Sequence, residues 1–332
     1  MAPERPVPLF VAVALLLGAG CGSVPAVGTS TLSPVQAVPT PATVICPNPA
    51  YPSGVGVLTY IKDRNVVLMF GGDDASNTPI AETWMLSAGC WQKLNPTVSP
   101  SARDSMTAAY DPGRKVVILY GGRVGGPGQS GSFLYDTWTW DGQAWANVAT
   151  PAGPVLLVPT AAYDPRSKQV ILSGSSPQGE AQTWAWTGLT WQLLQPTASP
   201  PPRFGGSLAF DSATGALLMF GGSQTLREVG DTWIWDGSTW RQLLPSASPS
   251  PRFLVALGPN RSTPGLVLFG GANRTFPLRE TWTWNGNTWT QVHPVHTPPS
   301  GVGVGVVTDT ELQLVGQSEV WTWSGADWYR IA

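Results

Sequence analysis

The nine residues TWTWDGQAW, 137–145, decide how this chain folds. Trp138 and Trp140 are two apart, so in an extended strand they share one face while Thr137 and Thr139 take the other. Asp141 and Gly142 then supply a hairpin turn that needs positive φ, and Trp145 returns on the partner strand.

The same unit recurs six times. Trp84 and Trp91, Trp138 and Trp145, Trp184 and Trp191, Trp233 and Trp240, Trp282 and Trp289, and Trp321 and Trp328 are each seven apart. A further Trp follows the first by two in five copies (Trp140, Trp186, Trp235, Trp284, Trp323), and Leu86 stands there in the first. These positions account for all 17 tryptophans. Upstream lie apolar strands ending in paired glycines: VVLMFGG to Gly72, VVILYGG to Gly122, ALLMFGG to Gly222 and LVLFGG to Gly271. Copies three and six depart from this, with QVILSGS around Gly174 and LQLVGQ around Gly316. Before them come short apolar segments such as MTAAYD, PTAAYD and SLAFD. Each copy therefore reads strand, turn, strand, loop, strand, turn, strand. Its period between second Trp residues is 54, 46, 49, 49 and 39. A four-stranded sheet with indoles on its faces cannot bury them alone, and radial stacking on like neighbours makes a propeller.

The double Gly, the [DE]-T-W that follows and the second Trp seven residues on resemble the kelch repeat, over roughly Gly54 to Ala332. The resemblance implies an all-β, six-bladed β-propeller of four-stranded blades, here expected over 43–332 with blades near 54–95, 104–149, 158–195, 204–245, 253–292 and 301–332. The first blade begins with its own inner strand, GVGVLTY, and the last ends on its own outer strand, DWYRIA. Ring closure is therefore expected through side-chain packing between blades one and six, with Thr43 to Cys46 a candidate edge strand.

The N-terminus reads differently. LFVAVALLL, 9–17, follows a short leader and is too short to span a bilayer, so residues 1–20 read as a signal peptide. Cys21 after Gly18, Ala19 and Gly20 resembles the bacterial lipobox, which implies lipidation of Cys21; ordinary signal cleavage is the alternative. The uncharged, Pro- and Ser-rich stretch that follows, 21–42, reads as a flexible tether. An exported protein, lipid-anchored on the outer side of the cell membrane, is expected. In that oxidising setting Cys46 and Cys90 form an even pair, read as a disulfide, with two isolated thiols as the alternative.

Composition bounds the partners. The 332 residues are 42% hydrophobic and only 11% charged, with 18 basic residues against 20 acidic. That supports a real core and offers no basic field for nucleic acid. A monomer is expected.

Residues that break the repeat are where chemistry would sit. His293 and His296 sit in a Pro-rich HPVHTPP connection without the helix and Glu of a zinc site, and read as solvated loop residues. Kelch-related galactose oxidases hold copper with Tyr and His beside a Tyr–Cys crosslink; no Tyr neighbours these histidines in sequence, so no cofactor or metal is expected. The Gly-rich run 121–131 lacks the Lys of a P-loop. The turn Trp235 to Trp240 is similar to the sialidase Asp-box, a hairpin-stabilising element without catalytic duty.

Charged residues in register are more telling. Glu82, Asp136, Asp231 and Glu280 precede Thr-Trp, Glu319 precedes Val320, and Arg103, Arg203 and Arg252 precede inner strands. Copy three lacks both features, with Gln182 at the acidic position. Two readings follow: acid and Arg pair structurally, or the arginines edge the central funnel and bind an anion. The loops between second and third strands (73–81, 123–135, 223–230, 272–279) vary most, which is where scaffolds carry function. Asp73, Asp74, Arg123, Arg227, Arg274 and Arg279 on them join the three arginines as a candidate ligand face. Two functions are expected: a membrane-tethered binding module for a protein or cell-envelope glycan, or a carbohydrate-active oxidase or isomerase with its site at the funnel.

Overall fold

The computed structural model describes Cys46 and residues 51–126, 131–150, 153–225, 227–299, 304–308, 311–315 and 319–331. The described residues belong to one compact unit, 44–332. The expected signal peptide, Cys21, the tether and the candidate edge-strand residues Thr43 to Ile45 lie outside the described residues.

Six antiparallel four-stranded sheets follow one another along the chain, each with its strands paired in chain order, as a six-bladed β-propeller. Blade one runs from Gly54–Ile61 to Cys90–Leu94, blade two from Thr107–Asp111 to Trp145–Val148, and blade three from Leu157–Asp164 to Trp191–Leu194. Blade four runs from Ser207–Asp211 to Trp240–Leu243, blade five from Ala256–Pro259 to Trp289–Val292, and blade six from Val304–Val307 to Trp328–Arg330. Inner strands contact one another in order, and that of blade six contacts that of blade one, so the circuit closes.

The tryptophans explain the stacking. In blades two to six the middle and outer Trp of each copy lie opposite each other on adjacent strands, as Trp140 opposite Trp145 does, with ring centroids 5.2–5.5 Å apart. Both face the preceding blade. Phe70 of blade one, for example, meets Trp145 of blade two edge-on at 5.2 Å, a favoured aromatic geometry. Each of the six apolar clusters joins two neighbouring blades. The core is therefore a set of interfaces between blades.

A buried indole also needs an acceptor for its N–H. The Thr of each D/E/Q-T-W supplies it from the opposite face of the preceding blade. Trp145 donates to Thr83 Oγ1, Trp191 to Thr137, Trp240 to Thr183, Trp289 to Thr232 and Trp328 to Thr281, at 2.9–3.1 Å. The paired glycines bring the blades close enough for this. Gly71 and Gly72 have φ of 64° and 91°, and a Cβ on Gly71 would lie 2.7 Å from the Arg103 carbonyl of the next blade. Gly72 N–H donates to that same carbonyl at 2.9 Å.

The seam between blades six and one is built differently. Leu58, Val67, Met69, Trp84, Leu86 and Trp91 pack against Val315, Val320 and Ile331, so side-chain packing closes the ring. Val320 occupies the Thr position and offers Trp91 no hydroxyl. Cys46 and Cys90 are disulfide-bonded, with Cα atoms 5.6 Å apart. Cys90 precedes Trp91 as Thr239 precedes Trp240 and Thr288 precedes Trp289. At those two sites the hydroxyl accepts from the backbone N–H of the incoming connection, at Ala198 and Ala247. In blade one a covalent bond does that work.

Replacing Thr183 with Val should leave the Trp240 indole N–H buried without an acceptor and cost about 1–3 kcal/mol in denaturant unfolding. Thr322→Val should be neutral or stabilising in the same measurement, because Thr322 Oγ1 is buried and already unpartnered. Reducing the disulfide should add two hydrogens by mass and cost about 2–4 kcal/mol, as expected for a closed loop of this size.

Candidate functional site

The three register arginines turn into their own blades. Arg103 is 1% exposed, Arg203 5% and Arg252 0%. Arg103 makes a bidentate pair with Asp136 at 2.6 and 3.0 Å, while its remaining donors reach Ser101 O, Ser101 Oγ and Gly121 O. Arg203 repeats this with Asp231 at 2.6 and 2.8 Å and with Pro201 and Gly221 carbonyls. Arg252 does so with Glu280, Ser250 and Gly270. A guanidinium has five donors in a fixed fork, and in Arg103 the blade engages every nitrogen. The geometry thus supports acid–Arg pairing within blades two, four and five and turns these three arginines away from the candidate ligand face.

The acids have a second duty. Glu82, Asp136, Gln182, Asp231, Glu280 and Glu319 each accept from the indole N–H of the Trp two residues on, at 2.7–3.1 Å. Burial raises the carboxyls of Asp136, Asp231 and Glu280, but hydrogen bonds and charge from the paired Arg and the hydrogen bond from the indole outweigh it, and their pKa values fall. Blade three, with Gln182, carries buried Leu156 in the Arg register. Blade one has Ser53 there, whose N–H and hydroxyl donate to Glu82 at 3.2 and 2.8 Å. Lys93 completes the set at 2.6 Å.

The remaining candidates lie on the second-to-third-strand loops. Asp74 Oδ1 accepts from the N–H groups of Ser76 and Thr78 at 2.8 and 3.0 Å, so it shapes its own loop. Asp73 has a buried, unpartnered Oδ1, and burial, then the charge of Asp104, push its pKa up. Arg123 pairs with Asp104 at 2.9 Å. Arg279 donates to Pro298 O at 2.9 Å. Arg274 reaches across to Glu228 of blade four at 3.4 Å, and Arg227 beside that Glu is exposed. His296, on the connection into blade six, contacts Asp327 at 2.8 Å and is two-thirds exposed; His293 is exposed as well. Among the described residues no group of three or more His, Cys, Asp or Glu is arranged to hold a metal.

Two features escaped sequence reading. Ser105, Val158, Gly205 and Leu254 occupy one register, two residues after the Arg position, and all have positive φ, at 55°, 42°, 60° and 53°. That conformation is rare for a β-branched Val. A backbone chain runs through the last three: Gly205 N–H donates to Val158 O at 3.3 Å and Leu254 N–H to Gly205 O at 2.9 Å. Only Gly205 signals this locally. The second feature is an apolar exposure at the same end of blade five, where Leu254 is 55% and Phe276 54% exposed.

Glu82 gives a pH test. Burial alone would raise its pKa, but hydrogen bonds from Lys93, Trp84 and Ser53 bring it down to about 2. A depressed folded pKa contributes stability that is complete above the ordinary value of 4.5 and is lost as pH falls towards 2. Glu82→Gln should flatten the stability profile in that window, measured by denaturant unfolding from pH 2 to 6.

No family model matches this chain, and no curated protein matches it. Among solved structures it is similar to one called "Structure of YjhT", with a TM-score of 0.63 and 12% identity, covering 85% of this chain and 98% of that one. At that identity the likeness shows the propeller fold alone.

Proposed function

We propose that the chain is an interaction module, exported and held by lipid at Cys21 outside the cytoplasm, whose kelch-type propeller presents the second-to-third-strand loops of blades four and five to a protein partner. The observation that carries the reading is that Leu254 and Phe276 of blade five are half-exposed at the end of the propeller whose loops in blades four and five also carry exposed Arg227 and the Arg274–Glu228 bridge. Aromatic and Arg side chains within a polar rim are the composition from which protein interfaces draw most of their energy. The loops are placed rigidly, because the arginines beneath them are locked by acids and carbonyls of their own blades. The Cys46–Cys90 disulfide supports an oxidising compartment.

The test is a crosslinking capture from native membranes with the wild type and a Phe276→Ala/Arg227→Glu variant. Loss of two interface anchors should lower capture by at least about 30-fold, with the melting temperature unchanged. Equal capture by the variant would sink the proposal. So would turnover of a substrate by the purified protein that the same substitutions abolish.

A further inference from the structure

We propose that the end of the propeller opposite the variable loops docks on an anionic lipid membrane, through the first-to-second-strand turns of blades one, two and three. The chain has four lysines, and three of them, Lys62, Lys115 and Lys168, lie on these turns and are exposed. Among the described residues only the fourth, Lys93, enters an ion pair. The matching turn of blade four, 212–215, is uncharged, and Arg261 on that of blade five pairs with Glu311 of blade six at 2.9 Å. The unpaired lysines are thus confined to an arc of three neighbouring blades.

Two of them are held there against backbone preference. The residue immediately before the second strand has positive φ in five blades: Asn65, Lys115, Lys168, Gly215 and Gly265, at 54°, 58°, 56°, 64° and 126°. Gly and Asn adopt that conformation readily, and Lys does not. A strained residue without a partner in its own fold implies a contact outside it. The arginines of the same turns do serve the fold. Arg64 donates to the Asp141 and Gly142 carbonyls of blade two, Arg114 to Thr187 O of blade three and Arg166 to Trp235 O of blade four, at 2.6–3.1 Å. Each locks its turn to the next blade, so the lysines stand on a rigid arc. The nearby acids are already committed. Asp111 and Asp164 are fully buried and pair with Arg114 and Arg166, Asp63 accepts from Tyr110, and Asp141 Oδ1 accepts from N–H groups of its own turn.

Leu189 favours a lipid surface over a soluble polyanion. It is 82% exposed on the third-to-fourth-strand turn of blade three, the same turn whose Thr187 carbonyl Arg114 holds. An apolar tip flanked by cations gains both from burial at the bilayer interface and from attraction to anionic headgroups. Cys46 is bonded to Cys90, just after the equivalent turn of blade one, so the tether of the module proposed above would lead to this same end. That clause alone rests on the module reading; the turns carry the rest.

Cosedimentation with phosphatidylglycerol and phosphatidylcholine vesicles tests this, using the full chain with Cys21→Ser so that no acyl chain contributes. The protein should bind phosphatidylglycerol vesicles, leave them at about 0.5 M salt, and not bind phosphatidylcholine. Lys62→Gln/Lys115→Asn/Lys168→Asn should weaken binding about 100-fold, with the melting temperature unchanged or higher because Asn suits positive φ. Lys62→Arg/Lys115→Arg/Lys168→Arg should bind as the wild type does. Equal binding by the first variant, or equal loss in both, would overturn the proposal. Leu189→Ser should weaken binding to vesicles and leave binding to polyphosphate unchanged. Polyphosphate bound in preference to vesicles would assign the arc to a soluble polyanion and overturn the membrane assignment. The assay needs neither the acyl chain nor the protein partner of the loop end, so its failure and that of the module reading are distinguishable.

Discussion

Five hydrogen bonds from an indole N–H to a threonine hydroxyl hold the geometry on which everything else rests. Each links the outer strand of one blade to the third strand of the blade before it, deep in an apolar interface where an unpaired donor is costly. The bond sets how far and at what angle neighbouring sheets approach. Gly71 and Gly221 permit that approach, since a Cβ on either would collide with the Arg103 or Arg252 carbonyl of the next blade. Once it is set, cross-strand Trp pairs fill the gap between sheets, joined at four interfaces by a Phe or Tyr of the preceding blade. The alternation of Thr and Trp along the third strand is thus a division of labour between two faces: Thr serves the following blade and Trp the preceding one.

The acid before that Thr belongs to the same design. It accepts from its own Trp and anchors Arg, whose carbonyl then receives the N–H of the preceding blade's second glycine. Inner and outer rings of contacts are tied together through one guanidinium. Blade three, lacking both acid and Arg, substitutes Gln182, Leu156 and a serine: Ser175 Oγ accepts from Arg203 N–H and donates to Arg203 O, at 2.6 and 3.1 Å.

Much of this was legible because repetition turns spacing into geometry. The six Trp pairs and four glycine pairs determine blade number, strand order and a closure without a shared strand. The joint absence of acid and Arg from blade three pointed to a pairing, yet sequence could not say whether the guanidinium turned inward or towards a ligand. That depends on three-dimensional distances to carbonyls two and eighteen residues away. Ser53 was invisible as a stand-in for Arg because a hydroxyl and an amide reach the same carboxylate by different chemistry. The positive φ of Val158 was hidden since its neighbours in the ring impose it. Leu254 and Phe276 gave no signal, as exposure is a property of what fails to cover them.

The disulfide alters how this propeller bears load. A force applied to the chain ahead of Cys46 would otherwise reach the inner strand Gly54–Ile61 and peel it from the seam, strand by strand. With Cys46 bonded to Cys90, tension passes instead into the hairpin of the outer strands of blade one, at the periphery. The seam between blades six and one, which lacks the indole–threonine bond of the others, is thereby shielded from tension that enters through the chain ahead of Cys46.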